Sequence, residues 1–235
     1  MERILCVTVK APVASFRRPL DHNYQRTLPM PPPTTLLGIA GAALGMSDQK
    51  LWAHDSPLRD AKVSVLMNVA SGHARDMWTL LKIKGNKMVR SPYMRELLFS
   101  TSYTLIYSGN EVLLKQLEQA FKDPVYTLSL GREDELLAIE DVTIEAMNTG
   151  ESYFRGTVLP GDIRQMQIRP VLKSGICFEP PLVETLPLGF DLDEKRLRQP
   201  KNPVTLSFLP LELEIEIPDL AAYQCQGRNF VWINS

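Results

Sequence analysis

"LPMPPPTTLLGIAGAALG", residues 28–45, decides the first half of the fold. Pro31, Pro32 and Pro33 hold the incoming chain extended, because a residue before proline is driven away from helical geometry. Thr34 is then placed to cap a helix. Leu36, Leu37, Ile39, Ala40, Ala42, Ala43 and Leu44 surround that helix with apolar atoms, which predicts a buried one. Glycines at 38, 41 and 45 work against it, each costing about 1 kcal/mol relative to alanine in a helix interior. Their spacing of three and four puts them on one face. A face without side chains predicts close packing of the helix on its own sheet.

The flanking segments supply the sheet. "RILCVTVK" (3–10) is apolar nearly throughout, as a strand covered on both faces should be. "KVSVLMNVA" (62–70) alternates, and "ELLFSTSYTLIY" (96–107) is rich in aromatic and β-branched residues, so both read as strands. Asn110 can cap a second helix, with Leu113, Leu114, Leu117, Ala120 and Phe121 at helical spacing and Pro124 beyond its end. "VYTLSL" (125–130), closed by Gly131, reads as the fourth strand. The order is β-α-β-β-α-β, an α+β arrangement of the ferredoxin-like or RRM type.

Residues 71–95 are too long for a normal hairpin loop between the second and third strands. Within them "WTLLKIKGNKMVR" (78–90) predicts a protruding β-hairpin that turns at "KGNK". Residues 136–235 show no clear helix and many prolines, which predicts short strands joined by loops. The chain thus divides into 1–135 and a β-rich remainder, 136–235.

Hydrophobic content of 44% and charged content of 23% belong to a globular protein. No apolar run approaches the roughly 20 residues a membrane helix needs, and nothing near the start resembles a signal peptide. Cys6, Cys177 and Cys225 are far apart and odd in number, which predicts a reducing cytoplasm, core cysteines, and neither a disulfide framework nor a zinc site. The net charge is −1, but the charge is segregated. Lys10, Arg17, Arg18 and Arg26 stand against Asp21 alone in 10–26. Arg75, Lys82, Lys84, Lys87, Arg90 and Arg95 stand against Asp76 alone in 73–95. Two basic segments on a near-neutral chain point towards nucleic acid.

The segment "APVASFRRPLDHNYQRTLPMPPPTTLLGIAGAALG" (11–45) resembles the N-terminal signature of the Cas5 family of CRISPR-associated proteins, within the RAMP superfamily. "RSPYMRELLFSTSYTLIY" (90–107) and "YTLSLGRED" (126–134) resemble two further family pieces, in the same order; the motifs look most like the type I-B branch, with type I-A next. The resemblance implies one subunit of a type I Cascade surveillance complex that holds the five-prime handle of the CRISPR RNA. It also implies contacts with Cas7 backbone subunits and the large subunit, target DNA reached through the complex, and a thumb hairpin at 71–95. No cofactor, metal or membrane is implied.

The candidate RNA-binding residues follow. Phe16, Arg17 and Arg18 lie where the family places handle contacts, and a guanidinium can bind phosphate bidentately or stack on an unpaired base. Gly131 permits a tight turn that brings Arg132 and backbone N–H groups towards phosphate. Lys82, Lys84, Lys87 and Arg90 can meet phosphates from the arm, where Trp78, Met88 and Tyr93 can pack on a base or a neighbouring subunit. Arg95 is open between RNA contact and an ion pair with Glu96. His22, with Tyr24 and Arg26, is the one cluster that could cleave RNA, since metal-independent cleavage needs a base for the 2′-hydroxyl. The type I-C cleavage pattern is absent, so a binding role without catalysis is expected, with metal-independent processing of precursor RNA as the alternative. The acids at 212, 214 and 216 share one strand face, opposite Leu213, Ile215 and Ile217. They predict a solvent-facing sheet surface.

Overall fold

The computed structural model describes residues 2–234, apart from 86, 172–174, 176 and 178. The first elements are β1 (Arg3–Ala14), β2 (Tyr24–Gln25), α1 (Pro33–Ala43), α2 (Asp48–Leu51) and β3 (Val63–Met67). Next come β4 (Gly72–Lys84), β5 (Lys87–Ser108), α3 (Glu111–Lys122) and β6 (Ala138–Ala146). In the main sheet β1 lies between β5 and β6, and β3 pairs the far side of β5, all antiparallel. The short β2 runs parallel beside β5 at Met94 and Arg95.

The strand β1 explains why the sheet is covered on both faces. Leu5, Val7 and Val9 point into the main core with α1 and α3, while Ile4 and Cys6 point into a separate buried cluster behind the sheet. From α3, Leu113, Leu114, Leu117 and Phe121 enter the main core, and Asn110 Oδ1 accepts the Leu113 N–H at 2.8 Å, as the sequence predicts. Two buried tyrosines of β5 fasten the proline-led segment to the sheet. Tyr103 donates to the Pro29 carbonyl (2.9 Å) and Tyr107 to the Leu36 carbonyl (3.0 Å).

Three local expectations change. The α1 cap is not Thr34: Pro32 holds the N-cap position without a side-chain bond, and Pro33 opens the helix, where its missing N–H costs nothing. Residues 125–130 are not the fourth strand. Val125 and Tyr126 donate their N–H groups to Ala43 and Ala42 at the end of α1, and Ser129 forms only an isolated bridge to Leu136. The place beside β1 is taken by β6, whose Ile139, Val142 and Ile144 pack on the core, so the sheet extends past residue 135. Nor do the three glycines share one task. Gly45 (φ +70°) ends α1 in a Schellman turn, with Gly45 N–H to Ala42 and Met46 N–H to Gly41. Gly41 admits Leu51 of α2, not the sheet, and Gly38 faces open space.

The remaining strands are β7 (Asn148–Thr149), β8 (Tyr153–Phe154), β9 (Val158–Pro160), β10 (Arg169–Val171) and β11 (Leu182–Leu192). They are followed by β12 (Arg198–Phe208), β13 (Glu214–Glu216), β14 (Tyr223–Cys225) and β15 (Arg228–Phe230). They form three small sheets; the main core takes Val158, Leu186, Leu206 and Phe208 from them, and Ile233 from the segment after β15. Leu213, Ile215 and Ile217 are buried as predicted; across the pair, Glu216 meets Arg169 at 3.4 Å. The cysteines are closer than their spacing suggested. The sulfurs of Cys6 and Cys225 meet in the cluster behind the sheet, with the Glu145 carboxylate beside them, and Cys177 is exposed and free. Folding brings together residues that are 219 positions apart, which sequence spacing cannot show. Among the described residues no helix is long and apolar enough to cross a membrane.

Candidate nucleic-acid interface

Where β1 ends, a tight turn presses against it. Ser15 N–H donates to the Leu130 carbonyl at 3.3 Å. Gly131 has φ +117°, and a Cβ there would lie 1.9 Å from the Ser15 carbonyl oxygen, so only glycine fits. The turn closes on Glu135, a buried carboxylate that accepts from Ser15 Oγ (2.7 Å) and from the Arg132 N–H (2.9 Å). Hydrogen bonds to an ionised group are the strong kind, and a buried carboxylate needs them. Little in the local sequence singles out Ser15 or Glu135, and Glu135 lies within the acid-rich stretch 133–145. The one local clue is an acid four residues after the glycine.

Above this turn stands the root of a long hairpin. β4 and β5 pair continuously from Gly72↔Phe99 to Lys84↔Lys87. At about 3.3 Å per residue the 13 residues of β4 extend roughly 40 Å. Asp76 faces Arg95 across the pair and Trp78 faces Tyr93. Arg95 is only 8% exposed and its Nε donates to Asp76 Oδ2 at 3.1 Å, so the pairing is with Asp76 and not Glu96. Its Nη1 is buried without a hydrogen-bond partner among the described residues, 3.9 Å from Glu135 Oε1. The Arg95 and Arg132 guanidinium carbons sit 3.4 and 4.0 Å from the centroid of the Trp78 ring. Two groups this near one centroid cannot share a face of the ring without overlapping, so the indole lies between them.

The loop after β1 distributes its predicted residues less openly. Phe16 is 2% exposed and packs edge-on against Tyr103 at 6.1 Å; it is core, because the chain folds inward immediately after Ala14. Arg18 pairs with Glu184 at 2.6 Å, and Arg26 with the buried Asp21 at 2.8 Å. The Arg26 hydrogen bonds hold the Asp21 carboxyl below its ordinary value, against the desolvation that would raise it. Arg17 is exposed and donates to the Asp21 carbonyl at 2.7 Å. His22 is exposed. Tyr24 donates to Glu96 at 2.6 Å, and that bond holds its phenol above the ordinary value. His22, Tyr24 and Arg26 therefore do not act as one cluster: two of the three are tied to carboxylates.

The register sorts the hairpin into two faces. Lys82 and Lys87 are exposed on the face that carries Trp78 and Tyr93, and position 84 falls there too, though the Lys84 side chain lies outside the described residues. Arg90 is opposite Leu81, on the other face. That face also exposes Met77, Leu81, Ile83 and Met88. One side is thus basic and aromatic, while the other carries most of the exposed apolar side chains together with Arg75 and Arg90. The Arg95–Trp78–Arg132 stack joins the basic side to the turn at Gly131.

A family profile described as CRISPR-associated protein (Cas_Cas5) matches residues 4–180. The chain belongs to that Cas5 family. Among solved structures, a CRISPR protein from Archaeoglobus fulgidus is 14% identical with a TM-score of 0.57, over 98% of this chain and 99% of that one. A chain of a CRISPR RNA-guided surveillance complex is 16% identical with a TM-score of 0.54, over 92% and 91%. At those identities the likeness is one of fold. A Cas protein at 22% identity aligns over 57% of this Cas5-family chain and 58% of its own, with a TM-score of 0.41. No curated protein sequence matches it.

Proposed function

We propose that this chain is a non-catalytic RNA-binding subunit of a type I CRISPR Cascade, nearest the type I-B branch by its motifs, that caps the five-prime handle of the CRISPR RNA. In this reading the β6-β1-β5-β3 sheet with α1 and α3 is the ferredoxin-like body, with its fourth strand at 138–146. The β4–β5 hairpin is the thumb. The observation that carries the reading is the junction at the root of that hairpin. A strip of exposed lysines runs into a guanidinium–indole stack seated on the end of β1. Lysines meet phosphates at any sequence, and planar groups meet unstacked bases, which together suit a single-stranded RNA segment held by shape. The apolar face with Met77, Leu81, Ile83 and Met88 suits protein contact with Cas7 backbone subunits or the large subunit. Target DNA is then reached through the assembled complex, in the cytoplasm.

Binding without cleavage is favoured because Tyr24 and Arg26, the groups the sequence places with His22, are held by Glu96 and Asp21. The test is to express the tagged chain with its neighbouring genes, purify it, and sequence the RNA that comes with it. Repeat-derived RNA together with backbone subunits supports the assignment. In parallel, labelled repeat RNA is incubated with the chain in chelator. Site-specific cleavage that His22→Ala abolishes would replace this reading with the processing one.

A further inference from the structure

We infer that Arg132 is a stacking platform for one unpaired nucleobase of the bound RNA, held flat by Trp78 and Arg95. The inference rests on the RNA-binding reading and names the contact made at its centre. The Arg132 guanidinium carbon sits over the Trp78 ring, 4.0 Å from its centroid, and 36% of the side-chain surface stays open to solvent. Among the described residues its one ion pair is a distant one, to Asp134 at 4.0 Å, so no strong bond among them turns the group away. Its backbone is fixed by the Glu135 carboxylate and by the Gly131 turn. On the far side of the indole, Arg95 is buried and fastened to Asp76, so it supports the column and cannot reach a ligand itself. A base laid on Arg132 would make a fourth layer on a column already ordered, with little left to immobilise.

The chemistry favours a base over a phosphate here. Asp76, Asp134 and Glu135 surround Arg95 and Arg132, so the local field offers an anion little attraction. A guanidinium plane backed by an indole is a good surface for any base, whatever its sequence. Arg132 is then a contact residue, and Trp78 and Arg95 are positioning residues.

The test uses the full chain, fluorescence anisotropy, and a series of repeat-derived single-stranded RNAs, each with one abasic position. Wild type should lose roughly tenfold in affinity at one position, the range seen for a stacked base. Arg132→Lys keeps the charge and removes the plane. It should bind intact RNA roughly tenfold more weakly, keep the wild-type salt slope, and show no further loss at that abasic position. Trp78→Leu should weaken binding with the same insensitivity to that position, while His73→Ala, on the opposite ribbon face, should leave it unchanged. Full affinity in Arg132→Lys, or an abasic loss that persists in it, would overturn the inference and leave the functional reading standing. Failure of wild type to bind RNA at all would overturn both.

Discussion

Gly131→Ala should disable the turn on which the interface is built. The new methyl carbon would lie 1.9 Å from the Ser15 carbonyl oxygen, 2.9 Å from its carbon and 2.7 Å from Glu135 Oε2. Two of those neighbours are backbone, so relief requires the turn to lift off β1. Lifting breaks the Ser15 N–H bond to Leu130 and loosens the Glu135 bonds to Ser15 Oγ and the Arg132 N–H. Backbone strain at φ +117° contributes about 1–3 kcal/mol, and a buried carboxylate losing partners adds about the same. The total of about 2–6 kcal/mol corresponds to a loss of roughly 4–24 °C in a domain of this size. Calorimetry on wild type and variant measures it, with Gly85→Ala as the control: φ is +58° there too, but nothing lies within 4 Å of its added carbon. Gly85→Ala should lose roughly 2–4 °C, for about 1 kcal/mol of left-handed strain. Equal melting temperatures for Gly131→Ala and wild type would refute the reasoning.

Gly45→Ala should also lower stability, by about 1–2 kcal/mol, since φ is +70° and the added carbon would meet Val125 Cγ1 at 2.7 Å; thermal melts check this. Lys82→Ala with Lys87→Ala should leave melting unchanged and flatten the salt dependence of RNA binding by about 0.7 per lysine in the log–log slope. The Asp21–Arg26 pair sets an acid limit. With the folded carboxyl below its unfolded value of about 3.9, its stabilisation is complete above that value and disappears as pH falls through the lowered one. Acid titration of Asp21→Asn should therefore show lower stability at neutral pH and a shallower decline below pH 4.

What the sequence disclosed depended on how local the cause was. The α3 helix was legible because its cap, its apolar stripe and its terminating proline sit within fifteen residues. β6 was not legible as the fourth strand of the main sheet because Leu128 and Leu130 alternate as a strand would and are indeed buried, while the backbone bonds of 125–130 go to α1 from Val125 and Tyr126 and to Ser15, Glu135 and Leu137 from Leu128 and Leu130. The arginines were legible as cations but not as partners. Arg18 finds Glu184 after 166 residues, and Arg95 takes Asp76 in preference to its neighbour Glu96. Glu135 carried no signal inside an acidic run, because its role comes from burial against Ser15. Trp78 was visible as an aromatic on a basic arm; that two guanidinium groups cover its ring depends on the register of β4 against β5 and on the turn at 131.

The central claim is that the hairpin root and the Gly131 turn form one RNA surface. Ultraviolet crosslinking of the assembled complex, followed by mass spectrometry of the RNA-bound peptides, tests it most directly. The account predicts crosslinks in peptides carrying Trp78, Lys82 or Lys87 and Arg132, all to the same few repeat-derived nucleotides. Crosslinks confined to the α2–α3 side, with none on the hairpin or the turn, would contradict it.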